Sequence, residues 1–142
     1  MSIRRIVESR PQEIVSCTPR HTVRQAAALL AERRIGALPV LDGGQVAGIF
    51  SERDLLYCVA KEGEAVLNRP VSEVMTAPAI TIEPGVEVMT ALSLMTRRRI
   101  RHLPVVENGR LLGFVSIGDL VKFRIESIEA EAQQMREYIT LA

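Results

Sequence analysis

The stretch "GIFSERDLL" at residues 48–56 decides the fold, because its pattern returns as "GFVSIGDLV" at residues 113–121. Each copy has a glycine, two large apolar residues, a serine, two variable positions, an aspartate and a leucine. Aligning Asp54 with Asp119 sets an offset of 65 residues between the copies. A fixed offset between similar segments is typical of a chain built from repeated structural units.

The same offset continues upstream without a gap. It aligns "IGALPVL" at 35–41 with "IRHLPVV" at 100–106, and Pro19 with Pro84. The chain is therefore interpreted as a tandem duplication that fills nearly all of residues 14–122.

Each copy predicts a strand followed by a helix. β-Branched runs at 13–17 and 79–82 predict the strand, and a proline turn follows each run. Apolar periodicity then predicts an amphipathic helix. The predicted buried faces are Val23, Ala27 and Leu30 in the first copy and Val88, Leu92 and Met95 in the second.

The remainder of each copy predicts a hairpin and a second helix. Glycine-containing turns at 42–45 and 107–110 separate two apolar strands. The second helix is expected to begin just after Ser51 and Ser116. The order is β-α-β-β-α, twice, and two such units are expected to pack face to face in an α/β fold because one alone would leave its sheet uncovered.

These patterns set the domain boundaries. An N-terminal extension with a short helix, at 1–12, precedes the first unit at 13–62. A connector at 63–77, with a polar turn and a short helix at 71–75, leads to the second unit at 78–125. A C-terminal helix is expected over 126–142.

Composition excludes several classes of protein. Eighteen basic and seventeen acidic residues give a near-neutral chain, which argues against a strongly basic nucleic-acid binder. The longest apolar stretch, around 26–31, is too short to cross a bilayer, and no signal peptide is apparent. Cys17 and Cys58 are too few for a disulfide framework, so we expect buried thiols and a cytoplasmic setting.

The repeated serine and aspartate allow two interpretations. A serine at a helix boundary with an acid three residues later is close to a capping box, which is a purely structural feature. The same geometry offers a phosphate the free N–H groups of the helix N-terminus, and the aspartate can accept hydrogen bonds from a ribose diol. Arg53, between Ser51 and Asp54, adds a planar cation that a cap does not need.

The basic run "RRRIRH" at 97–102 is also open to two interpretations. It can be a solvated helix end, or Arg101 and His102 can face a nucleotide cleft. A nucleic-acid surface is disfavoured because no aromatic platform accompanies the charges. His102 has no neighbouring metal-ligand set, and neither a P-loop nor a nucleophile with its base stands out, so we expect no metal site and no enzyme.

In these motifs and in the connector "VSEVMT" at 71–76, the chain resembles a tandem CBS-domain protein, a stand-alone Bateman module. The resemblance implies two CBS units related by a pseudo-twofold axis, with two clefts that hold adenosine ligands such as AMP, ADP, ATP, NAD or S-adenosylmethionine. It also implies that the aspartate takes the ribose hydroxyls and that the serine lies by the phosphate.

Carried onto this sequence, the resemblance implies two sets of binding residues. The first cleft would use Ile49, Ser51, Arg53, Asp54, Met75, Thr76, Ile80, Arg101 and His102. The second would use Val15, Gly36, Ala37, Phe114, Ser116 and Asp119. Because Arg53 aligns with Gly118, and Arg101 and His102 with Gly36 and Ala37, we expect the first cleft to bind phosphate more tightly.

The expected function is a non-enzymatic sensor of adenine nucleotides, with AMP favoured and no catalytic cofactor. The alternative is a structural or adaptor protein whose clefts are vestigial and whose C-terminal helix recruits a partner. Expected partners are a second copy of the chain and a separate effector protein, not nucleic acid or membrane.

The C-terminal segment carries a heptad-like seam. Its members are Val121, Ile125, Ile128, Ala132, Met135 and Ile139. Such spacing predicts an apolar stripe along a helix, packed either on the module itself or on a second copy.

Overall fold

In a computed structural model, the chain is described over residues 1–9 and 13–141. The elements follow the repeat. They are α1 (Ile3–Ser9), α2 (Val23–Arg33), β1 (Ala37–Asp42), β2 (Gln45–Ser51), α3 (Glu52–Glu62), α4 (Val88–Arg98), β3 (His102–Glu107), β4 (Arg110–Ser116) and α5 (Ile117–Leu141), with 3-10 helices at Gly63–Asn68 and Val71–Glu73 between α3 and α4.

The two predicted hairpins are confirmed. β1 pairs with β2 and β3 with β4, both antiparallel, and each pair shifts register at the same place in the repeat, after Val40 and after Val105. In the second turn Asn108 and Gly109 have φ values of 52° and 77°. This left-handed backbone suits the twist of a tight hairpin, and asparagine and glycine adopt it at low cost.

The predicted first strand of each unit is reduced to one parallel bridge. Cys17 bridges to Val40 and Ile82 to Val105, and no longer strand forms at these places. The amide of Cys17 donates to the carbonyl of Pro39 at 3.2 Å. The chain turns at Pro19 immediately afterwards, so the pairing cannot extend further.

The first helix of each unit is present, but its buried face differs slightly from the prediction. Val23, Ala26 and Leu30 are buried in α2, and Val88, Ala91 and Met95 in α4. Ala27 and Leu92, which we expected on these faces, are only half-buried. A complete capping box between Thr22 and Gln25 starts α2.

Each unit has its own apolar core. The first contains Cys17, Val23, Ala26, Leu30, Leu38, Val40, Phe50, Cys58, Val66 and Val71. The second contains Ile3, Ile6, Ile82, Val88, Ala91, Met95, Leu103, Val105, Val115 and Leu120. Ile3 and Ile6 precede the first unit in sequence and are nevertheless buried in the core of the second.

The segments that precede the two units are exchanged between them. The amides of Ile3 and Arg4 donate to the carbonyls of Val86 and Pro84, both at 2.9 Å. In the same way the amides of Val71 and Ser72 donate to those of His21 and Pro19. Residues 3–8 are therefore the structural counterpart of residues 71–76, and each segment binds the other segment's unit.

Two further predictions change in the structure. The expected short helix at 71–75 is a single 3-10 turn at Val71–Glu73. The expected C-terminal helix is continuous with the second helix of unit two, because α5 runs without a break from Ile117 to Leu141. No helix in the described residues is long and apolar enough to cross a membrane.

Candidate functional site

Two cavities lie between the units, on either side of a shared partition. The first has a volume of about 1170 Å³ and the second about 390 Å³. The loop 34–37 and the side chain of His102 line both cavities. The two cavities therefore share part of their walls.

Asp54 lies in the wall of the first cavity. Its Oδ2 accepts from the backbone amide and from the hydroxyl of Ser51, both at 2.9 Å, while its own amide donates to Ser51 Oγ at 3.2 Å. Its Oδ1 accepts from Thr76 Oγ1 at 2.9 Å. The capping interpretation is thus confirmed. Asp54 also lines the cavity, and its carboxylate has a partner outside the cap, Thr76.

The hydrogen bonds of Asp54 leave room for a ligand. A carboxylate offers roughly four acceptor positions, and the bonds to Ser51 and Thr76 occupy three of them. The remaining position is on Oδ1, the oxygen that Thr76 contacts. One hydroxyl of a diol could donate a hydrogen bond to this position. The other hydroxyl would compete with Thr76 for the position that Thr76 now occupies.

The first cavity is rich in cations. Arg34, Arg53, Arg99 and Arg101 line it, against the acids Glu52 and Asp54. Nη1 of Arg53 donates to the carbonyl oxygen of Arg99 at 3.1 Å, which ties α3 to the end of α4. The guanidinium has further N–H donors that can meet an anion in a planar arrangement.

Two of the arginines that line the first cavity, Arg34 and Arg99, are the C-cap residues of α2 and α4. Arg34 and Arg99 have φ values of 52° and 54° and occupy equivalent places in the repeat. Neither arginine was among the site residues predicted from the sequence. The paired arginines at 33–34 and 98–99 could have indicated them, since basic residues often lie at helix C-termini and both helices end beside the cavity.

The second cavity is smaller and less cationic. Serine and aspartate repeat the capping geometry, with the amide of Ser116 donating to Asp119 Oδ2 at 2.9 Å. Among the described residues of its wall, Arg34 and His102 are basic and Glu13 and Asp119 are acidic. Ile6 and Val7 of α1 fill one side.

Nearly all the residues expected in the clefts line these cavities. In the first they are Ile49, Ser51, Arg53, Asp54, Thr76, Ile80, Arg101 and His102. In the second they are Val15, Gly36, Ala37, Phe114, Ser116 and Asp119. Met75 lies instead against the backbone of Gly48, where a built Cβ would be 2.8 Å from its sulfur.

His102 forms the centre of the partition. Its ring stacks on Phe114 with centroids 5.5 Å apart and planes 14° from parallel. Burial lowers the pKa of His102, and Arg101 acts in the same direction, whereas Asp119 and Glu52 oppose them. A Cβ added to Gly36 would lie 3.2 Å from the ring, so this loop packs closely on it.

Other reactive groups do not form a second kind of site. Cys17 and Cys58 are buried and free, as expected, and burial raises the pKa of the Cys17 thiol to about 11. Among residues 1–9 and 13–141 no group of three or more histidine, cysteine and acidic residues could hold a metal ion.

Comparison with known sequences identifies the family. The CBS domain family matches residues 4–61 and 71–126, so the chain belongs to the CBS-domain proteins and contains two of these domains in tandem. A mitochondrial CBS domain-containing protein of Arabidopsis thaliana, CBSX3, is 36% identical over 128 residues. That match covers 87% of this chain but 62% of the plant protein, so the chain spans less than two thirds of its length.

Solved structures agree with the fold. A CBS-domain containing protein from Agrobacterium tumefaciens is 38% identical with a TM-score of 0.83, covering 87% of this chain and 99% of that one. A CBS domain protein from Pyrobaculum aerophilum, complexed with AMP, is 29% identical with a TM-score of 0.74, covering 84% and 89%. The face-to-face arrangement of two CBS units is thereby confirmed.

Proposed function

We propose that this chain is a non-enzymatic regulatory module that binds an adenine nucleotide in its first cavity, with AMP favoured over ADP, ATP or NAD. The observation that carries the proposal is the position of Asp54. Its carboxylate lines a cavity large enough for a nucleotide and keeps an acceptor position for a ribose hydroxyl. The AMP complex of the Pyrobaculum relative supports the same class of ligand.

The phosphate would bind at the cationic side of this cavity. Arg53 lies in the first turn of α3, where the amides of Glu52 and Asp54 already donate to the Gly36 carbonyl and to Ser51 Oγ, so the guanidinium is the main donor offered to a phosphate. A phosphate near this helix end would gain from the helix dipole and from Arg53 and Arg101 in the cavity wall. The apolar residues Ile49 and Ile80 would then contact the adenine.

The second cavity would bind phosphate more weakly. Gly118 stands in the repeat where the first unit has Arg53, so the corresponding helix start lacks the guanidinium. Glu13 and Asp119 bring negative charge to a wall that also carries Arg34. This cavity would therefore stay empty at concentrations that fill the first, or would accept a nucleoside without a phosphate.

Calorimetric titration of ligand-free protein tests the proposal. AMP, ADP, ATP, NAD, S-adenosylmethionine and adenosine are titrated separately, with GMP as the control for base recognition. We expect one AMP per chain at the tighter site and weaker binding of adenosine. Failure of every adenine ligand to bind at millimolar concentration would reject the proposal.

The alternative function is a structural adaptor that acts through its C-terminal helix. The complete capping box of Ser51 and Asp54 favours it, because capping alone explains both residues. A ligand that binds only the folded state at 100 times its dissociation constant stabilises it by roughly 2.7 kcal/mol. Thermal unfolding with and without AMP therefore separates the hypotheses, since an adaptor with vestigial clefts would unfold at the same temperature in both.

For regulation, nucleotide binding must favour one arrangement of the protein over another. The partition formed by loop 34–37 and His102 would connect the two cavities, because it lines both of them. A second copy of the chain and a separate effector protein are the proposed partners. The cytoplasmic setting stays a prediction from cysteine content.

A further inference from the structure

From Val121 to its end, α5 has an apolar face that the module does not cover. Val121, Ile125 and Ile128 are 43%, 50% and 49% exposed, and Met135 and Ile139 are 61% and 66% exposed. Together with Ala132 these residues form the α5 stripe. Of the two expected alternatives, packing of this stripe on the chain's own module is therefore not seen, and packing on a second copy stays a prediction.

The stripe and the module lie on different faces of α5. Leu120 and Ser127 are buried against the module and Phe123 packs on its core. At about 100° per residue, these three positions lie about 100° or more from the centre of the stripe. A partner helix can therefore reach the stripe while α5 keeps its contacts with the module.

The overhanging end of α5 needs a partner for its stability. Every described residue from Ile128 to Leu141 is exposed, a length of about 20 Å. Isolated helices of about this length are marginal in water. A heptad stripe buried against a second helix would supply the missing apolar contact.

We propose that the occupant of the α5 stripe is α5 of a second copy, in a parallel and in-register two-stranded coiled coil. Charge complementarity on both sides of the stripe argues for this partner. With Ile125, Ala132 and Ile139 at a positions, Arg124 and Glu131 occupy g positions, and Glu129 and Arg136 occupy e positions. Parallel pairing places Arg124 opposite Glu129 of the second copy and Glu131 opposite Arg136 of the second copy, so both contacts are attractive.

The antiparallel alternative conflicts with the same charges. An antiparallel pairing that overlaps the whole stripe brings Glu129 opposite Glu129 and Glu131 opposite Glu131 of the second copy. Like charges in such positions are destabilising. The parallel arrangement also leaves the two modules on the outer sides of the pair, and it does not depend on nucleotide binding.

Sedimentation equilibrium of the full chain tests the proposal. The wild type is expected to be a dimer. Ile128→Glu is expected to raise its dissociation constant by about 100-fold or more, since the charge would be buried in the seam. Glu131→Arg is expected to raise it about tenfold, and Glu131→Arg combined with Arg136→Glu to restore it. Retained hydrogen-exchange protection of the two module cores controls for folding, because all three positions are exposed and lie outside those cores.

Cross-linking tests the parallel register. Ala132→Cys places a thiol at an a position, which faces itself only in a parallel pair, while Ala130→Cys places one on the outside. Both alanines are exposed and the native cysteines are buried, so oxidation reports the new thiols. A covalent dimer from Ala132→Cys and not from Ala130→Cys supports the proposal. A monomeric wild type, a dimer indifferent to Ile128→Glu, or a dimer without the Ala132→Cys cross-link overturns it.

Discussion

The hydroxyl of Thr76 donates to Oδ1 of Asp54 at 2.9 Å, although 22 residues separate them in the chain. Thr76 lies near the end of the connector and Asp54 lies in the first turn of α3. The connector is therefore attached at the point where a ribose would bind. A ligand that competes for this oxygen would act on the connector as well as on the aspartate.

Replacing each aspartate by alanine tests which cavity binds the nucleotide. Asp54→Ala is expected to weaken AMP binding about tenfold or more, because a hydrogen bond to a charged group is worth roughly 1.5–3 kcal/mol. Asp119→Ala is expected to leave the tighter site almost unchanged. Calorimetry measures both variants against the wild type.

The two variants control for each other's effect on folding. Each removes the acid of a serine–aspartate cap, which is expected to cost about 1 kcal/mol of stability. Asp54→Ala loses the Thr76 hydrogen bond in addition. Equal losses of AMP affinity, or a larger loss with Asp119→Ala, would contradict the proposed asymmetry between the cavities.

Arg53 is expected to recognise the phosphate rather than the nucleoside. Arg53→Gln should weaken AMP binding several-fold and leave adenosine binding as it is, since only AMP has an anion for the guanidinium. The comparison of the two ligands by calorimetry also removes any general effect of losing the bond to the Arg99 carbonyl.

Adding an arginine at position 118 tests whether the missing cation alone makes the second cavity bind AMP weakly. A Cβ on Gly118 would meet Ser116 Oγ at an ordinary 3.6 Å, so a side chain can be added there. Gly118→Arg, made together with Asp54→Ala, is expected to recover part of the AMP affinity. An AMP affinity no better than that of Asp54→Ala alone would mean that other residues make the second cavity weak.

The sequence predicts the units well because their elements are local. The 65-residue offset aligns the turn at Gly109, the helix start at Ser116 and the cap at Asp119 with their counterparts, and each depends on residues close in sequence. The charge asymmetry between the cavities also follows from aligned positions, because Arg53 has Gly118 as its counterpart.

The exchange of leading segments could not be predicted in this way. Residues 3–8 correspond to residues 71–76 with an offset of 68 rather than 65, and the two segments share only the positions of their apolar residues. Which unit a segment binds is decided by packing over a long distance in sequence. The short length of the first strands has the same origin, since a turn at Pro19 ends the pairing that the β-branched residues favour.

Gly48 and Gly113 provide a matched test of how the two leading segments are held. A Cβ on Gly48 would lie 2.7 Å from the carbonyl oxygen of Thr76, while one on Gly113 would lie 2.9 Å from a methyl group of Val7. The Thr76 carbonyl accepts from the amide of Ile49 at 2.9 Å and cannot move freely. Gly48→Ala is therefore expected to cost about 1–3 kcal/mol and Gly113→Ala less.

Urea unfolding and AMP titration together measure this difference. Because Thr76 must shift to admit the methyl group, Gly48→Ala is also expected to change AMP affinity, and Gly113→Ala is not. The reverse order of stability, or an unaltered nucleotide site in Gly48→Ala, would show that the connector tolerates displacement at Thr76.

His102 gives the stability of the protein a dependence on pH. Its pKa is lowered in the folded state, mainly by burial, so the unfolded chain binds the proton more readily. The stability that neutral His102 contributes is then complete above its unfolded-state pKa of about 6.5. It is lost as the pH falls through the lower pKa of the folded state. His102→Gln should reduce the fall in unfolding free energy between about pH 7 and pH 5, measured by urea titration. His21→Gln is the comparison variant, since the side chain of this half-buried histidine accepts from the amide of Thr18 in its own turn and lies outside the partition. A pH dependence that His102→Gln leaves intact would contradict this assignment.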